Sequence, residues 1–195
     1  MRTESDNARP CLVSVPGLYG SGAQHWQSWL EGEWPASRRV QQRDWSRPDL
    51  NEWADALRRL VAEVNAPVVI AAHSFGCLTT VEAFAQHAPH VIGALLVAPA
   101  DPLRFDIDAA RLMRRLPFSS IVVASDDDPW MAAPQAYRYA RAWDSGWLAL
   151  GAHGHINAEA GLGPWPLGKA LLESLCQAHR GLEGAGGASD IDAAQ

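Results

Sequence analysis

Three short stretches of the chain carry side chains that together could perform nucleophilic chemistry. Ser74 follows an apolar run, aspartates occupy positions 126–128, and histidines occupy positions 153 and 155. A serine hydroxyl is a weak nucleophile near neutral pH and needs a base to remove its proton. An imidazole can be that base, and a carboxylate can orient the imidazole and stabilise its charged form. In the order Ser, Asp, His, these groups suit acyl transfer through a covalent intermediate.

The stretch around Ser74 predicts a strand that turns directly into a helix. Residues 68–72 form an apolar, largely β-branched run, which is typical of a strand buried on both faces, and apolar residues then recur at helical spacing over 77–84. Such a nucleophile elbow lifts the hydroxyl above the sheet and places the Phe75 amide at a helix N-terminus. The usual pattern is G-x-S-x-G, and here Ala72 takes its first position. The alternative is that Ser74 is only a helix N-cap.

The acid must be chosen among three consecutive aspartates. Pro129 biases the preceding Asp128 towards an extended backbone, which suits a side chain that reaches out of the loop. We therefore predict Asp128 as the acid. Asp126 and Asp127 have the alternative role of turn formers or helix caps.

The base must be chosen between two histidines that flank a glycine. Gly154 allows the bend that would bring His155 over Ser74, so we predict His155 as the base and His153 as a structural residue. Their His-x-His spacing also suits a metal, but no carboxylate or cysteine nearby completes such a site, and we expect no metal. We expect His73 to brace the turn. The remaining histidines are interpreted as surface or packing residues: His25, His87, His90 and His179.

Strands and helices alternate along the chain. The patterns predict strands at 11–15, 38–44, 68–72, 91–98, 119–124 and 147–150. They predict helices at 24–34, 48–65, 77–84, 107–116, 134–143 and 166–179. This alternation indicates an α/β fold, with a mostly parallel sheet of about six strands and helices on both faces. The candidate side chains would then gather beyond the carboxyl ends of the strands.

Composition sets the broad class of the protein. The chain has 195 residues, 48% of them hydrophobic and 19% charged, and a formal net charge of -6. This fits one globular domain over 11–180, with a flexible N-terminus at 1–10 and a disordered tail at 181–195. Without a basic run we expect no nucleic-acid partner, and without an apolar run of about 18 residues we expect no membrane span. Three scattered cysteines and a polar start indicate a reduced, cytoplasmic setting.

A glycine-rich loop at 16–22 follows the first predicted strand. It has no lysine, which a phosphate-binding P-loop needs, and its glycines have the wrong spacing for a dinucleotide-binding fingerprint. We therefore expect no cofactor here. The remaining interpretations are a loop that binds an oxyanion and a simple turn.

The motifs together resemble a known family, the small serine hydrolases of the retinoblastoma-binding-protein type, which are compact α/β-hydrolases. The matching pieces are Val15-Pro16-Gly17 with His25-Trp26 downstream, His73-Ser74-x-Gly76, Asp127-Asp128-Pro129 and Gly154-His155-Ile156-Asn157. The resemblance implies a single three-layer domain with Ser74 as nucleophile, Asp128 as acid and His155 as base. The oxyanion hole would use the backbone amides of Phe75 and of Leu18, with Tyr19 as the alternative to Leu18.

The segment at 99–118, where larger members of this fold insert a lid domain, has only about 20 residues. We therefore predict no separate lid and a shallow, partly open site. The candidate wall residues, which could equally pack beneath loops, are Tyr19, Trp26, Leu103, Phe105 and Trp130.

The expected function is an esterase-like serine hydrolase that cleaves small carboxylic esters or related acyl compounds through an acyl-enzyme. A non-catalytic binding protein on the same fold is the first alternative. An acyltransferase that uses the same triad is the second. The sequence leaves the natural substrate, the leaving group, the protein partners and the oligomeric state open.

Overall fold

A computed structural model describes residues 10–186, and the sheet within this range has six strands, all parallel, in the order β2-β1-β3-β4-β5-β6. The strands are β1 (Cys11–Val15), β2 (Ser37–Arg39), β3 (Val68–His73), β4 (Val91–Val97), β5 (Ser119–Ala124) and β6 (Gly146–Ala149). The α-helices of this range are α1 (Trp26–Glu33), α2 (Leu50–Ala62), α3 (Phe75–Phe84), α4 (Ala133–Trp143) and α5 (Pro166–Gly186).

The two faces of the sheet are covered by separate layers of helices. Apolar side chains of α2, α3 and α4 pack on one face, and Trp53, Leu78 and Tyr139 are among the buried residues there. Helices α1 and α5 cover the other face, where Leu30 and Leu172 are buried. Because β3 and β4 are covered on both faces, every residue of these two strands is buried, as continuous apolar runs require. The single-domain, three-layer α/β prediction is confirmed.

The parallel topology brings three loops to one edge of the sheet. One loop follows β3 and carries Ser74, the second follows β5 and carries the aspartates, and the third follows β6 and carries the histidines. Since all strands point the same way, these loops all lie at the carboxyl edge, where sites form in such sheets. The topology therefore places the three loops that carry the candidate side chains at the same edge of the sheet.

Three segments differ from the sequence-based expectation. Strand β2 has three residues rather than the seven of 38–44, and it lies at the edge of the sheet, where it pairs only with β1 among the described strands. The expected helix at 107–116 is absent, and the longer segment at 99–118 instead contains two short 3₁₀ helices, Pro102–Phe105 and Ala109–Leu112. Asp106 ends the first of them in the left-handed conformation, and Asp108 caps the second.

The C-terminal helix is longer than expected. Helix α5 continues to Gly186, so residues 181–186 are helical rather than the start of a disordered tail. Single glycines in a helix cost only about 1 kcal/mol each, so the composition of this stretch was a weak stop signal. The predictions for residues 1–9 and 187–195 lie outside the described residues. Within 10–186, no helix combines the length and the apolar character that crossing a membrane would require.

Candidate active site

Ser74 stands at a sharp turn between β3 and α3. Its backbone has φ 55° and ψ −122°, and its side chain makes no capping hydrogen bond to the helix. The alternative of a simple N-cap therefore has no hydrogen bond to support it. A non-glycine residue in such a conformation costs about 1–3 kcal/mol and is found mostly at functional sites, where the strain holds a side chain in place.

Two glycines let other backbone segments approach this turn. A Cβ atom on Gly76 would lie 2.0 Å from the carbonyl oxygen of Val15, and one on Gly17 would lie 2.7 Å from the Cβ of Ser74. Both distances are too short for any side chain. Ala72, the departure from the usual elbow pattern, is fully buried and pairs with Val15 across the sheet. Its methyl group fits the core.

Ser74, His155 and Asp128 form one hydrogen-bonded chain. The Oγ of Ser74 lies 2.9 Å from Nε2 of His155, and Nδ1 of His155 lies 3.0 and 2.9 Å from the two carboxylate oxygens of Asp128. A carboxylate accepts only, so Nδ1 carries the proton and Nε2 is free to accept the hydrogen of the serine hydroxyl. The acid and base side chains are only 3% and 11% exposed, which limits competition from water.

Asp128 is itself oriented by the backbone that follows it. The Trp130 amide donates a hydrogen bond to Oδ1 of Asp128 at 2.9 Å, across the intervening Pro129. The structure therefore brings the three residues singled out in the sequence into one hydrogen-bonded chain, in which His155 can take the proton of the Ser74 hydroxyl.

Asp127 joins the acid loop to the base loop. Its Oδ1 accepts hydrogen bonds from the Ser125 hydroxyl and from the Gly154 amide, each at 2.7 Å. The Ser125 hydroxyl oxygen in turn accepts from the His153 amide at 2.8 Å. The hydrogen bond from Ser125, followed by that from the Gly154 amide, holds the pKa of the Asp127 carboxyl below its usual range. Sequence reasoning treated this aspartate as a turn former, because the tertiary contact leaves no local pattern.

The other side of the base loop is held by two buried rings. Nε2 of His73 donates to the carbonyl oxygen of His155 at 2.9 Å, and Nε1 of Trp26 donates to the carbonyl oxygen of Ile156 at 3.0 Å. His73 thus braces the base rather than only its own turn. Trp26 is fully buried and does not line the cavity, so its expected place in the substrate wall is corrected to a supporting role in the core.

A cavity of about 540 Å³ opens over Ser74 and His155. This volume lies within the usual range for small-molecule sites. Tyr19, Phe105 and Trp130 line it as expected, and Tyr19 and Trp130 remain 76% and 51% exposed at its rim. Leu103, which was also expected in the wall, is largely exposed and is not part of the lining.

A family model described as serine hydrolase matches residues 12–174. The chain belongs to the serine hydrolase family. A protein from Pectobacterium atrosepticum, described as a YdeN-like hydrolase, is 42% identical, with a TM-score of 0.79 over 84% of this chain and 90% of that one. No curated protein matches the sequence significantly.

More distant structures share the fold of this serine hydrolase. The ydeN gene product of B. subtilis has 18% identity and a TM-score of 0.73, and the match covers 87% of this chain and all of that one. Est1E from Butyrivibrio proteoclasticus has 13% identity and a TM-score of 0.64, and the match covers 88% and 90%. At these identities the likeness concerns the fold alone.

The backbone amides of Phe75 and of Leu18 or Tyr19 are the candidates for an oxyanion hole in this serine hydrolase. The Phe75 amide is in the first turn of α3, where amides have no partner within the helix. The Tyr19 amide donates to the carbonyl oxygen of Trp45 at 2.9 Å, whereas the Leu18 amide has no acceptor within the described residues. Leu18 is therefore the better candidate for the second amide of an oxyanion hole.

His25 is one of the cavity-wall residues that sequence reasoning missed. It was expected at the surface or in packing, yet it lines the cavity and is only 4% exposed. Burial, and then the positive charge of Arg39 and the nearby ring of His155, lower the pKa of His25 to about 4. Burial likewise lowers the pKa of His73 well below its usual value, with smaller contributions from the rings of His155 and His25.

The described residues show no grouping of three or more histidine, cysteine, aspartate or glutamate side chains that could hold a metal ion. His155 uses both ring nitrogens in its hydrogen bonds to Asp128 and Ser74.

Proposed function

We propose that this serine hydrolase is esterase-like and cleaves small carboxylic esters or related acyl compounds through an acyl-enzyme on Ser74. The observation that carries the proposal is the hydrogen-bonded chain from the Ser74 hydroxyl through His155 to Asp128, with both steps at about 3 Å. A binding scaffold would not need a serine held in strained backbone geometry within reach of a base.

The proposed reaction begins with a proton transfer. His155 Nε2 takes the hydroxyl proton as Ser74 Oγ attacks the substrate carbonyl carbon, and Asp128 stabilises the imidazolium that results. The carbonyl oxygen becomes an oxyanion, which the amides of Phe75 and Leu18 stabilise. One such donor contributes about 3–4 kcal/mol of transition-state stabilisation.

The second half of the reaction restores the enzyme. The tetrahedral intermediate expels the alcohol, which takes the proton from His155, and leaves an ester on Ser74. Water then gives a proton to His155 and attacks the acyl carbon, and the carboxylic acid is released while Ser74 regains its hydrogen. No cofactor takes part in this scheme.

The cavity favours a small acyl group. Its volume of about 540 Å³ is shared between the acyl and alcohol sides of the substrate. The segment at 99–118 contains two short 3₁₀ helices in place of a lid domain, and Arg104 and Phe105 of the first one line the cavity. We propose a small-molecule acyl substrate as the partner of this chain.

We also propose the finer family relationship to the retinoblastoma-binding-protein type. Support comes from the sequence motifs at Pro16-Gly17, His25-Trp26, Asp127-Asp128 and Gly154-His155. We propose a reduced, cytoplasmic setting because the chain has few cysteines and they are scattered. The three are unpaired and buried in the described fold.

A fluorophosphonate probe tests the proposed activity directly. We expect covalent labelling of Ser74 in the wild type, no labelling in Ser74→Ala, and hydrolysis of p-nitrophenyl esters that declines as the acyl chain outgrows the cavity. A folded wild-type protein that neither labels nor hydrolyses these esters would favour a non-catalytic binding protein. Product analysis with added alcohols separates hydrolysis from transfer to another acceptor.

A further inference from the structure

The hydrogen bonds of His25 fix where its proton lies. Nδ1 of His25 accepts a hydrogen bond from the Gln27 amide at 3.2 Å, which caps the N-terminus of α1. A ring nitrogen that accepts a backbone N–H carries no proton itself. The neutral imidazole therefore carries its hydrogen on Nε2, which makes Nε2 a donor.

This donor has no acceptor in the described part of the chain. The Nε2 atom of His25 makes no hydrogen bond there, and protein atoms do not enclose it completely. Because the residue is only 4% exposed and lines the cavity over Ser74, the atom opens towards that cavity. The ring of His73 lies beside it, 4.8 Å away between centroids, without forming a hydrogen bond to it.

Neighbouring groups keep His25 in place and uncharged. The side chain of Gln27 is engaged elsewhere, with the Ser21 hydroxyl and the Ala71 carbonyl oxygen. Arg39 pairs with Glu31 at 2.8 Å. Burial and the positive charge of Arg39 both lower the pKa of His25, so the ring is neutral near pH 7.

We propose that His25 is a substrate-binding residue whose Nε2–H donates a hydrogen bond to an oxygen that the substrate carries in addition to its reacting ester group. The inference rests on the proposed function and narrows its substrate class. Alkoxy-, keto- or acyloxy-substituted esters fit this site better than esters with plain hydrocarbon groups. A buried donor without a partner is unfavourable, and a substrate oxygen would supply the missing acceptor.

Matched substrates test the proposal on both sides of the ester. In p-nitrophenyl methoxyacetate and p-nitrophenyl butyrate, the acyl groups differ only by an oxygen in place of a methylene. In 2-methoxyethyl acetate and butyl acetate, the alcohols differ in the same way. The variant His25→Ser retains a residue that can cap α1 but removes the ring donor. His87→Ser, at an exposed histidine, is the matched control.

The measured quantity is the ratio of kcat/KM for the ether substrate to that for the hydrocarbon substrate. We expect His25→Ser to lower this ratio about 3- to 10-fold for one of the two pairs, because one hydrogen bond is lost. His87→Ser should leave both ratios unchanged. A purely structural role of His25 would lower both members of a pair equally, and unchanged ratios for both pairs would overturn the proposal.

A measurement on the wild type covers the case in which His25→Ser does not fold. Hydroxide-catalysed hydrolysis gives the intrinsic reactivity ratio of each pair, and the enzyme's ratio should exceed it for one pair. If it exceeds neither, the inference is overturned. Labelling of Ser74 distinguishes failure of the proposed function from failure of this inference. If the wild type is not labelled, both the proposed function and this inference are wrong. If it is labelled but the ratios are unchanged, only this inference is wrong.

Discussion

The Oδ1 atom of Asp127 accepts a hydrogen bond from the Gly154 amide at 2.7 Å, one residue before the proposed base. Asp127→Ala removes this link and the one to Ser125, so we expect kcat to fall about 10- to 100-fold as His155 loses its fixed position. KM should change little, because the side chain is absent from the cavity lining. Steady-state kinetics check this, and Asp126→Ala, at the exposed neighbouring aspartate, should retain activity. Equal losses in both variants would contradict a specific role.

Ser74→Ala should abolish ester turnover without unfolding the protein. The hydroxyl makes its only described hydrogen bond to His155, so the fold does not depend on it. Circular dichroism and urea unfolding should match the wild type. A variant with substantial residual turnover would show that another group is the nucleophile.

Asp128→Asn should lower kcat by about 10⁴-fold, because an amide cannot hold the imidazole in the required tautomer and stabilise its charged form. Asp126→Asn is the matched control, because its side chain is exposed and makes no described hydrogen bond. Comparable activity of the two variants would reject Asp128 as the acid.

His155→Ala should remove activity, whereas His153→Ala should retain most of it. The hydrogen bond of His153 to Ser125 comes from its backbone amide, which the substitution preserves. Ester hydrolysis and probe labelling measure both variants. The opposite pattern would make His153 the base.

The free energy of unfolding should fall as the pH drops below about 6.5. His25 has a pKa of about 4 in the folded chain and about 6.5 when unfolded. As the pH falls, the unfolded chain is therefore protonated first, and this lowers the free energy of unfolding. The contribution of neutral His25 to the free energy of unfolding is complete above pH 6.5 and is lost as the pH falls towards 4. Between pH 7.5 and pH 5, His25 alone should account for about 2 kcal/mol, and His73 adds to the loss in the same direction.

Urea unfolding at the two pH values checks this dependence. His25→Ser should show a smaller difference between pH 7.5 and pH 5 than the wild type, and His87→Ser should show the same difference as the wild type. An unchanged difference in His25→Ser would mean that His25 is not buried in its neutral form.

The sheet could be predicted from sequence because its central strands are continuous apolar runs. Short runs of this kind are typical of strands that are buried on both faces. The meeting of the serine, aspartate and histidine loops followed from the topology, since each loop comes after a parallel strand. The choice of Asp128 and His155 within their loops depended on Pro129, on Gly154 and on the family resemblance. The structure places the ring of His155 within 3.0 Å of both the Ser74 hydroxyl and the Asp128 carboxylate. The short segment at 99–118 was harder, because two separate aspartate caps divide it into 3₁₀ turns.

The roles of His25 and Asp127 could not be predicted in the same way. Each depends on what the fold brings beside it: a cavity for His25, and the Gly154 amide for Asp127. Trp26 is the converse case. Its size suggested a pocket wall, but the packing of α1 against the sheet places it in the core, where its indole holds the base loop.

The exposed rim of the site bears on the size of substrate that can reach Ser74. Tyr19 and Trp130 stand largely in solvent, and no described domain closes over them. The far end of a substrate can therefore remain outside while its ester reaches the serine. We therefore expect a small acyl group to be removed from a bulky alcohol about as readily as from a compact one.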